Sequence, residues 1–368
     1  MIGFLALFLA ACATPAAQPT ATWTPSATSS PTSTLTATLT PTLTPTPIRT
    51  PPALPAPFQT SLLNPLDTPH TYIQDTCQYL LDKWTSTNSA PGTVVIAVMF
   101  HSIMKPGDNV GDNQISQEQF TELMGGLSHH GFEAITTAQL AAFMEHNAPI
   151  PPRSVILIVD DRHHREYFDK FFREWWEADQ WPVVNAWISA ERDNVDAALW
   201  DEMEELNAEG WVDFQAHGVV HNTPMWPGVS DDYIMGELQG SIDAFQAHFN
   251  KTPIAIIWPG GGFSQRSVEI ARQLGYQLGF TTTPRGPLMF DWVPLSDTDD
   301  PMRPSWVAEG SVNDPLLVLP RYWDTDALQH LDDIVQISQD AAAYAEQNKS
   351  TELEYYDIVC SPTYGPIP

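Results

Sequence analysis

The sequence predicts an α/β protein folded as a single (β/α) barrel, and three observations carry that prediction. Short apolar runs rich in Val and Ile alternate with longer stretches of helical periodicity along most of the chain. Such alternation is typical of a parallel sheet covered by helices, and the number of strands suits a barrel. The part from residue 66 to residue 368 has a globular composition and is long enough to bury one large core.

In chain order, the strands and helices of this barrel follow from periodicity and from the residues that flank them. Short apolar segments predict strands at 93–100, 134–137, 154–160, 183–188, 212–217, 254–258, 277–282 and 316–320. Apolar residues that recur every three or four positions predict helices at 72–86, 116–130, 138–146, 164–178, 196–208, 231–249, 264–274 and 325–348. The second of these helices opens with Ser116 and has Gln119 three residues later, which is the pattern of a capping box.

The first 65 residues have a different character. Residues 1–11 form a short apolar segment that is typical of a signal peptide and too short to span a bilayer. Together with Cys12 this segment resembles the bacterial lipoprotein box, in which the cysteine is lipidated, although no Lys or Arg precedes Arg49. Residues 12–65 are rich in Thr and Pro and predict an extended tether. We therefore expect an exported protein, anchored through a lipid on Cys12 at the outer face of the cell membrane or cell envelope.

The charge of the chain limits its partners. Its formal net charge is −29, and all 45 acidic residues follow residue 65. Such a surface repels nucleic acid and anionic membrane surfaces, so we expect no nucleic-acid partner. It suits a neutral or cationic ligand, although a solvated acidic surface needs no ligand to explain it. We infer no obligate protein partner from the sequence.

Two short motifs place reactive side chains at the ends of predicted strands. One apolar run ends in Asp160 and Asp161. A later predicted strand ends at His217, and His221 follows four residues after His217. Two histidines and one aspartate are a recurrent ligand set for a catalytic divalent metal, and the spare aspartate is a natural general base. Each motif alone is equally explained by packing histidines or by a helix N-cap. Their shared position at strand ends, where barrels place their chemistry, favours a metal-dependent hydrolase site.

With this order of elements, the chain resembles the polysaccharide deacetylases of the NodB-homology type, a carbohydrate esterase family with a distorted, TIM-like (β/α) barrel. The resemblance runs over about 95–322. Within it, Ile-Val-Asp-Asp-Arg at 158–162 is similar to the family's T-F-D-D-G motif, and His-Gly-Val-Val-His at 217–221 is similar to H-[ST]-x-x-H. Trp-Pro-Gly-Gly at 258–261 is similar to the Pro-x-Gly part of a third motif.

That resemblance implies an activity and a set of roles. Asp160 is expected to be the general base, and Asp161, His217 and His221 are expected to bind a divalent metal ion, zinc in the first instance. The expected reaction is removal of N-acetyl groups, or of O-acetyl groups, from a cell-surface or extracellular polysaccharide. Two further phrases, at 99–102 and 131–136, are most similar to the subgroup that acts on exported poly-N-acetylglucosamine.

The sequence departs from the family pattern at four positions. Arg162 replaces a motif glycine, and Gly218 removes a hydroxyl that often follows the first histidine. Ile257 occupies the place of the arginine that usually steadies the base. Arg321 stands where many relatives carry a histidine that acts as general acid, and an arginine cannot donate a proton at neutral pH.

The general acid therefore stays open among several groups. His101, at the end of the first strand of the resemblance, is the preferred catalytic candidate, and a purely supporting role for it is equally compatible with the sequence. His163, His164 and a metal-bound water are the other candidates.

The residues expected to bind the sugar are aromatic or lie in loops at the carboxyl ends of strands, because aromatic faces stack on pyranose rings. The substrate-binding candidates are Trp258, Pro259, Gly261, Trp292, Arg321 and Tyr322, with Trp226 and Trp323 as further loop aromatics. A backbone N–H between Pro259 and Gly262 is the expected donor to the oxyanion.

Two other functions compete with a deacetylase. One is a catalytically degenerate lipoprotein of the same fold that binds glycan, and the four departures favour it. The other is an unrelated metallohydrolase on the same barrel. The intact Asp160 favours the enzyme over the binding protein, because a purely structural metal site needs no unliganded base.

Cys77 and Cys360 are expected to form a disulfide. If Cys12 is consumed by lipidation, these two are the remaining thiols of an exported protein, where oxidation is permitted. They lie in the first globular helix and in the tail beyond the last helix, which a closed barrel tends to bring together. Two buried free cysteines are the alternative.

Overall fold

The structure is a computed structural model that describes residues 49–191, 194–221, 223–299 and 307–368, without the side chains of 194 and 195. Residues 1–48, with the predicted signal peptide, the lipidation site Cys12 and most of the predicted tether, lie outside the described residues. Within the described ranges, no helix has both the length and the apolar character needed to cross a membrane.

A curled parallel sheet lies at the centre of the domain. The strands, in chain order, are β1 (Asp67–His70), β2 (Val94–Phe100), β3 (Ser102–Met104), β4 (Gln114–Ser116), β5 (Glu133–Ala134), β6 (Arg153–Val159), β7 (Val183–Trp187), β8 (Val212–Ala216), β9 (Ala255–Ile257), β10 (Leu278–Phe280), β11 (Val293–Ser296) and β12 (Tyr322–Trp323). The central sheet has the order β10-β9-β8-β7-β6-β2-β12, and β5 also pairs with β6. This arrangement confirms the predicted α/β fold class, with the sheet forming a half-barrel.

Helices follow most of these strands and cover the outside of the sheet. They are α1 (Thr76–Trp84), α2 (Gln117–His129), α3 (Thr137–His146), α4 (Arg165–Phe171), α5 (Arg173–Asp179), α6 (Asn194–Glu209), α7 (Asp231–Phe249), α8 (Gln265–Gln273), α9 (Ala327–Tyr355) and α10 (Ser361–Tyr364). The capping box at the start of α2 is present, with Ser116 and Gln119 bonded to each other's backbone.

The alternation of side chains along the inner strands separates two layers of the core. On β2, Ile96 and Val98 pack towards the covering helices, whereas Val95 and Ala97 face the inside of the curl. Both strands of the β2–β6 pair end level with each other, since Phe100 is in register with Val159. The next residues along both strands, at 101 and 160, are therefore neighbours at the carboxyl edge of the sheet.

The structure differs from the predicted elements near the C-terminus and in one helix. The predicted strand at 316–320 is wrong, because Pro315–Leu317 forms a short 3-10 helix and the strand comes later, as β12. Proline cannot donate to a strand ladder, and this segment has one at each end. The predicted helix at 164–178 is divided into α4 and α5 by Phe172, whose φ is −113°.

The segment 319–323 joins the two edges of the curled sheet. Leu319 pairs with Phe280 of β10, and its N–H donates to the carbonyl of Gly279 at 2.7 Å. Three residues later, Tyr322 pairs with Val98 of β2 at the opposite edge. Because the chain crosses from one edge to the other, the residue between them, Arg321, is enclosed and has 0% exposure.

The end of the domain opposite to the carboxyl edge of the sheet receives the N-terminal part of the described chain. Arg49 forms ion pairs with Glu354 and Asp357, beyond the amino-terminal edge of the sheet. Trp292 donates its indole N–H to the carbonyl of Phe58 at 2.9 Å. Within the described residues, the chain from Arg49 onwards belongs to one compact unit.

A disulfide lies at this same end. It joins Cys77 and Cys360, the predicted pair, and their Cα atoms are 5.3 Å apart. Leu80 and Tyr356 are buried beside it.

Candidate active site

Strand β6 delivers the two aspartates to the carboxyl edge of the sheet in different environments. Asp160 continues the inward-facing positions of the strand and is 1% exposed. Asp161 follows with a left-handed backbone, φ 72°, and its side chain is 43% exposed. A positive φ is unusual for a residue other than glycine and turns the second carboxylate away from the strand direction. One carboxylate is therefore enclosed, and the other faces the opening of the site.

The loop after β8 delivers the two histidines. His217 is buried, and its Nδ1 lies 2.7 Å from the carbonyl oxygen of Ile257. A carbonyl only accepts hydrogen bonds, so Nδ1 carries the proton and Nε2 keeps its lone pair for a ligand. Burial, first of all, lowers the pKa of His217 to about 4, which keeps the imidazole neutral at physiological pH. The ring of His221 lies 4.5 Å from that of His217, centroid to centroid.

These side chains form a compact set that suits a metal ion. One ligand atom from each of Asp161, His217 and His221 lies within 4.8 Å of the other two. Two neutral imidazoles and one carboxylate are the donor set of catalytic sites for zinc and similar divalent metals, which keep a position open for water. The three residues therefore fit the metal that the family implies.

Arg321 and Asp160 form a buried bidentate ion pair. The two guanidinium Nη atoms donate to Asp160 Oδ1 at 2.7 Å and to Oδ2 at 2.9 Å, and Nε donates to the carbonyl of Thr281. Burial alone raises the pKa of Asp160, but Arg321 and then His217 outweigh it and lower that pKa to about 2. Arg321 was predicted to bind substrate; in the structure it is fully buried and donates to Asp160 and to Thr281.

In this ion pair, Arg321 supplies the cation that the missing arginine at position 257 would supply. The cation that steadies the base comes from the segment that closes the sheet, whereas Ile257 supplies the carbonyl that orients His217.

Among the histidines considered for the general acid, His101 is placed beside the base. Its Nε2 is 3.7 Å from Asp160 Oδ2, and its ring stacks on Trp323 with centroids 5.4 Å apart. His163 stacks on Tyr167, and its Nε2 is buried without a hydrogen-bond partner. Burial lowers the pKa of His163, which disfavours its protonated form.

His164 is turned to the outer helices. It is exposed, and its Nδ1 lies 3.2 Å from both carboxylate oxygens of Glu202 on α6. Of these two histidines, His101 therefore lies beside Asp160, and His164 does not.

Several residues predicted to bind the sugar are instead part of the core. Trp258 is fully buried and donates its indole N–H to the carbonyl of Leu317 at 2.8 Å. Trp292 is buried at the opposite end of the domain, and Tyr322 is 6% exposed in strand β12. The burial of these three rings does not support their predicted role in stacking on a sugar ring. Of the two further aromatics, Trp323 at the end of β12 is half-buried, and Trp226 in a loop is exposed.

The turn at Pro259–Gly261 packs beside the histidine loop. Pro259 and Gly261 are buried, so their predicted contact with substrate is not supported by exposure. The N–H groups of Gly261 and Gly262 donate to the carbonyls of Trp258 and Pro259 within the turn. Neither amide is free to stabilise an oxyanion, and Gly260 is the exposed member of the turn.

The departure at Arg162 has a local structural explanation. The left-handed backbone falls on Asp161 and not on Arg162, so no glycine is needed after the aspartates. The guanidinium of Arg162 instead donates to the carbonyls of Ile188 and Ala190 and pairs with Asp196. It thereby ties the aspartate motif to the loop after β7.

Sequence reasoning missed Asp324, which follows β12. Burial raises the pKa of this carboxyl group to about 7, with Asp160 adding to the rise, and Oδ2 is buried without a hydrogen-bond partner. Its N–H donates to the carbonyl of Met99 on β2. Only the position directly after Arg321-Tyr322-Trp323, at the end of a strand, hinted at it.

The comparisons with known proteins agree with this fold and site. Residues 148–279 match the family model described as polysaccharide deacetylase, a segment that holds Asp160, Asp161, His217 and His221 but not Arg321. Over this segment, the chain is therefore similar to polysaccharide deacetylases.

Individual relatives are distant. The polysaccharide deacetylase-like protein YxkH of Bacillus subtilis (strain 168) is 20% identical over 195 residues, which cover 51% of this chain and 64% of that protein. A Streptococcus pyogenes deacetylase, PplD, solved in complex with acetate, is similar with a TM-score of 0.51 at 20% identity, covering 67% of this chain and 99% of that one. A polysaccharide deacetylase from Bacillus cereus gives a TM-score of 0.48 at 20% identity, over 66% of this chain and 69% of that one.

Proposed function

We propose that this protein is a metal-dependent hydrolase that removes N-acetyl groups from a cell-surface or extracellular polysaccharide, with O-acetyl groups as the closest variant. The observation that carries the proposal is the buried base Asp160, which Arg321 holds ionised beside the ligand set Asp161, His217 and His221. A site that only bound metal for structure has no use for an ionised carboxylate that is not a ligand.

The chain's own residues divide the work of hydrolysis. When bound, a divalent metal ion polarises the acetyl carbonyl and makes water more acidic. Asp160 accepts the proton of the attacking water, and Arg321 keeps it ionised over the whole physiological range. His101 is placed to deliver a proton to the departing amine nitrogen. The half-exposed Asp161 and the open edge of the sheet give a polymer access to these groups.

The zinc identity, the export and the lipid anchor belong to the same proposal. Zinc is favoured by two imidazoles with one carboxylate. The signal-peptide-like segment, Cys12 and the Thr- and Pro-rich stretch support a location at the outer face of the cell envelope, where acetylated polysaccharides are found.

Metal analysis of the purified protein, coupled to acetate release from a panel of N-acetylated oligosaccharides, tests this function. We expect one zinc ion per chain and release of acetate. In the double variant His217→Ala, His221→Ala, we expect stoichiometric metal to be lost. Unchanged metal in that variant would contradict the ligand assignment. A metal-loaded parent that releases no acetate but binds the oligosaccharides would favour the non-catalytic glycan-binding protein.

A further inference from the structure

The loop that carries both candidate histidine ligands is held by a carboxylate from a neighbouring helix. Glu237, on the buried face of α7, accepts at Oε2 the N–H of Val219 at 2.7 Å, of Val220 at 3.0 Å and of His221 at 3.4 Å. Oε1 accepts a further bond from Val220 at 3.2 Å. Three consecutive backbone donors thus converge on one side chain that is 3% exposed.

Gly218 leaves the room that this carboxylate occupies. A Cβ atom at position 218 would lie 2.5 Å from Glu237 Oε2, closer than any real Cβ contact, and the backbone there has a φ of +79°. The missing hydroxyl in the histidine motif is therefore compensated from outside the motif. A carboxylate anchored nineteen residues downstream fills the position of a side chain at 218, and it accepts three backbone N–H groups of this partly buried loop.

His221 needs such support because its backbone lies in the left-handed region, with a φ of 58°. A residue other than glycine stays in that region only where its surroundings hold it there. The N–H of His221 and the two amides before it all bind Glu237, and the carbonyl of Val219 accepts from the N–H of Ala190 at 2.9 Å. The loop is therefore held from both sides.

We propose that Glu237 is a positioning residue for the metal centre: it keeps His221 in the conformation that brings its imidazole to His217 and Asp161. The inference rests on the proposed metal-dependent function. Glu237 itself need not touch metal or substrate. It acts through the backbone, so that the three ligands are arranged before the ion arrives.

The first test compares zinc affinities of metal-free, folded protein by competition with a chromogenic chelator. Glu237→Gln keeps the shape of the side chain but retains one acceptor oxygen and turns an amide NH₂ towards a backbone N–H. We expect its zinc dissociation constant to rise about 10- to 100-fold, the range for residues that support metal ligands. Glu122→Gln, at an exposed glutamate on α2, is the matched control and should stay within about twofold of the parent.

A pair of glycine variants gives a second test that leaves Glu237 in place. Gly218→Ala introduces a clash with the carboxylate, whereas Gly210→Ala has the same backbone strain, φ +80°, with nothing within 4 Å of the added Cβ. Both glycines flank β8. We expect Gly218→Ala to weaken zinc binding at least about tenfold more than Gly210→Ala does. Thermal midpoints of the metal-free variants, measured in parallel, separate a loss of stability from a loss of arrangement.

The outcomes distinguish the two proposals. A parent protein that binds no zinc overturns both the metal-dependent function and the role of Glu237. A parent that binds one zinc ion, with Glu237→Gln and Gly218→Ala both within about twofold of their controls, overturns the role of Glu237 alone. If Glu237→Gln does not fold, the two glycine variants decide the matter.

Discussion

Among single residues, Arg321 has the largest part in keeping Asp160 ionised, because it lowers the pKa of that carboxyl group. Two parallel hydrogen bonds at 2.7 and 2.9 Å hold a carboxylate that burial alone would make a weaker acid. Such a pair tolerates the loss of neither partner, since the survivor is left charged and unpaired in the interior. The same two contacts therefore serve the ionisation of the base and the closure of the sheet.

Replacing Arg321 by lysine is expected to shift the pH dependence of activity. A lysine offers a single point charge in place of the two-pronged guanidinium, so burial regains influence and the pKa of Asp160 rises above about 2. A base works when deprotonated, so activity should fall at a higher pH on the acidic side than in the parent. The measurement is kcat/KM between pH 4 and pH 9. The control is Arg272→Lys, which changes a bidentate pair with Asp314 outside the site. An unshifted acidic limb would remove the coupling between Arg321 and the base.

Asp160→Asn tests the base itself. The amide keeps the size of the side chain but cannot accept a proton, so we expect hydrolysis to fall by a factor on the order of 10² to 10⁴. Zinc content should stay at one ion per chain, because Asp160 is not in the ligand set. Full activity in this variant refutes the role of base, and loss of zinc would make Asp160 a ligand.

Among the secondary-structure elements, the alternating pattern of β2 and β6 does most to build the site. Because inward and outward residues alternate along a strand, the register of Phe100 with Val159 places His101 and Asp160 side by side and facing inwards. A continuous apolar run is legible in the sequence, which is why the two strands, and the reactive residues at their ends, were predictable.

What could not be predicted depends on contacts between distant elements. Arg321 meets Asp160 only because the segment 319–323 crosses between the edges of the sheet, and no periodicity in that segment announces it. Glu237 lies in an amphipathic helix, where an acidic residue is normally solvated. Trp258 lies in a segment with the composition of an exposed loop, yet its indole N–H donates to the carbonyl of Leu317 inside the core.

The turn around Asp291 gives a prediction about pH and stability. Asp291 accepts the N–H groups of Tyr72 and Ile73, and burial raises its pKa from 3.8 to about 6. A raised pKa means that the folded state holds the proton more tightly than the unfolded state. The free energy of unfolding therefore declines as pH rises from about 4 to about 6, by roughly 2–3 kcal/mol from this group alone.

Asp291→Asn should remove that decline, because asparagine accepts the same two bonds without ionising. We expect the variant to match the parent near pH 4 and to exceed it in unfolding free energy above pH 6. Denaturant unfolding at pH 4, 5, 6 and 7 measures the difference. A gap between the two proteins that stays constant across this range would show that Asp291 does not titrate as stated.

For the whole molecule, the bridge between Cys77 and Cys360 encloses nearly the entire domain, since the two are 283 residues apart. Closing so long a loop removes conformational freedom from the unfolded chain, which the loop-entropy model values at about 5 to 6 kcal/mol. In the double variant Cys77→Ser, Cys360→Ser, the free energy of unfolding should be lower by about that amount or less. Its denaturant midpoint should fall accordingly. Zinc affinity should be unchanged, because the bridge lies at the opposite end from the metal ligands.

The control is the parent protein with a reducing agent, which should approach the stability of the double variant, whereas the variant should not respond. Non-reducing mass spectrometry of the protein, purified without a reducing agent, checks the bond itself. Two alkylatable thiols on the unfolded chain would show that the two cysteines are free.

The far end of helix α9 marks where the N-terminal part of the described chain joins the domain. The carbonyl of Gly92, two residues before β2, accepts a hydrogen bond from Ser338. Helix α9 therefore passes the amino-terminal edge of the sheet at Ser338 and continues about 25 Å beyond it. Arg49 is held near that far tip, through Glu354 and Asp357. The described chain therefore enters the domain from beneath, and the rim with Asp160 and His217 is unobstructed by it. For the proposed deacetylase, this arrangement leaves the rim accessible to a polysaccharide strand.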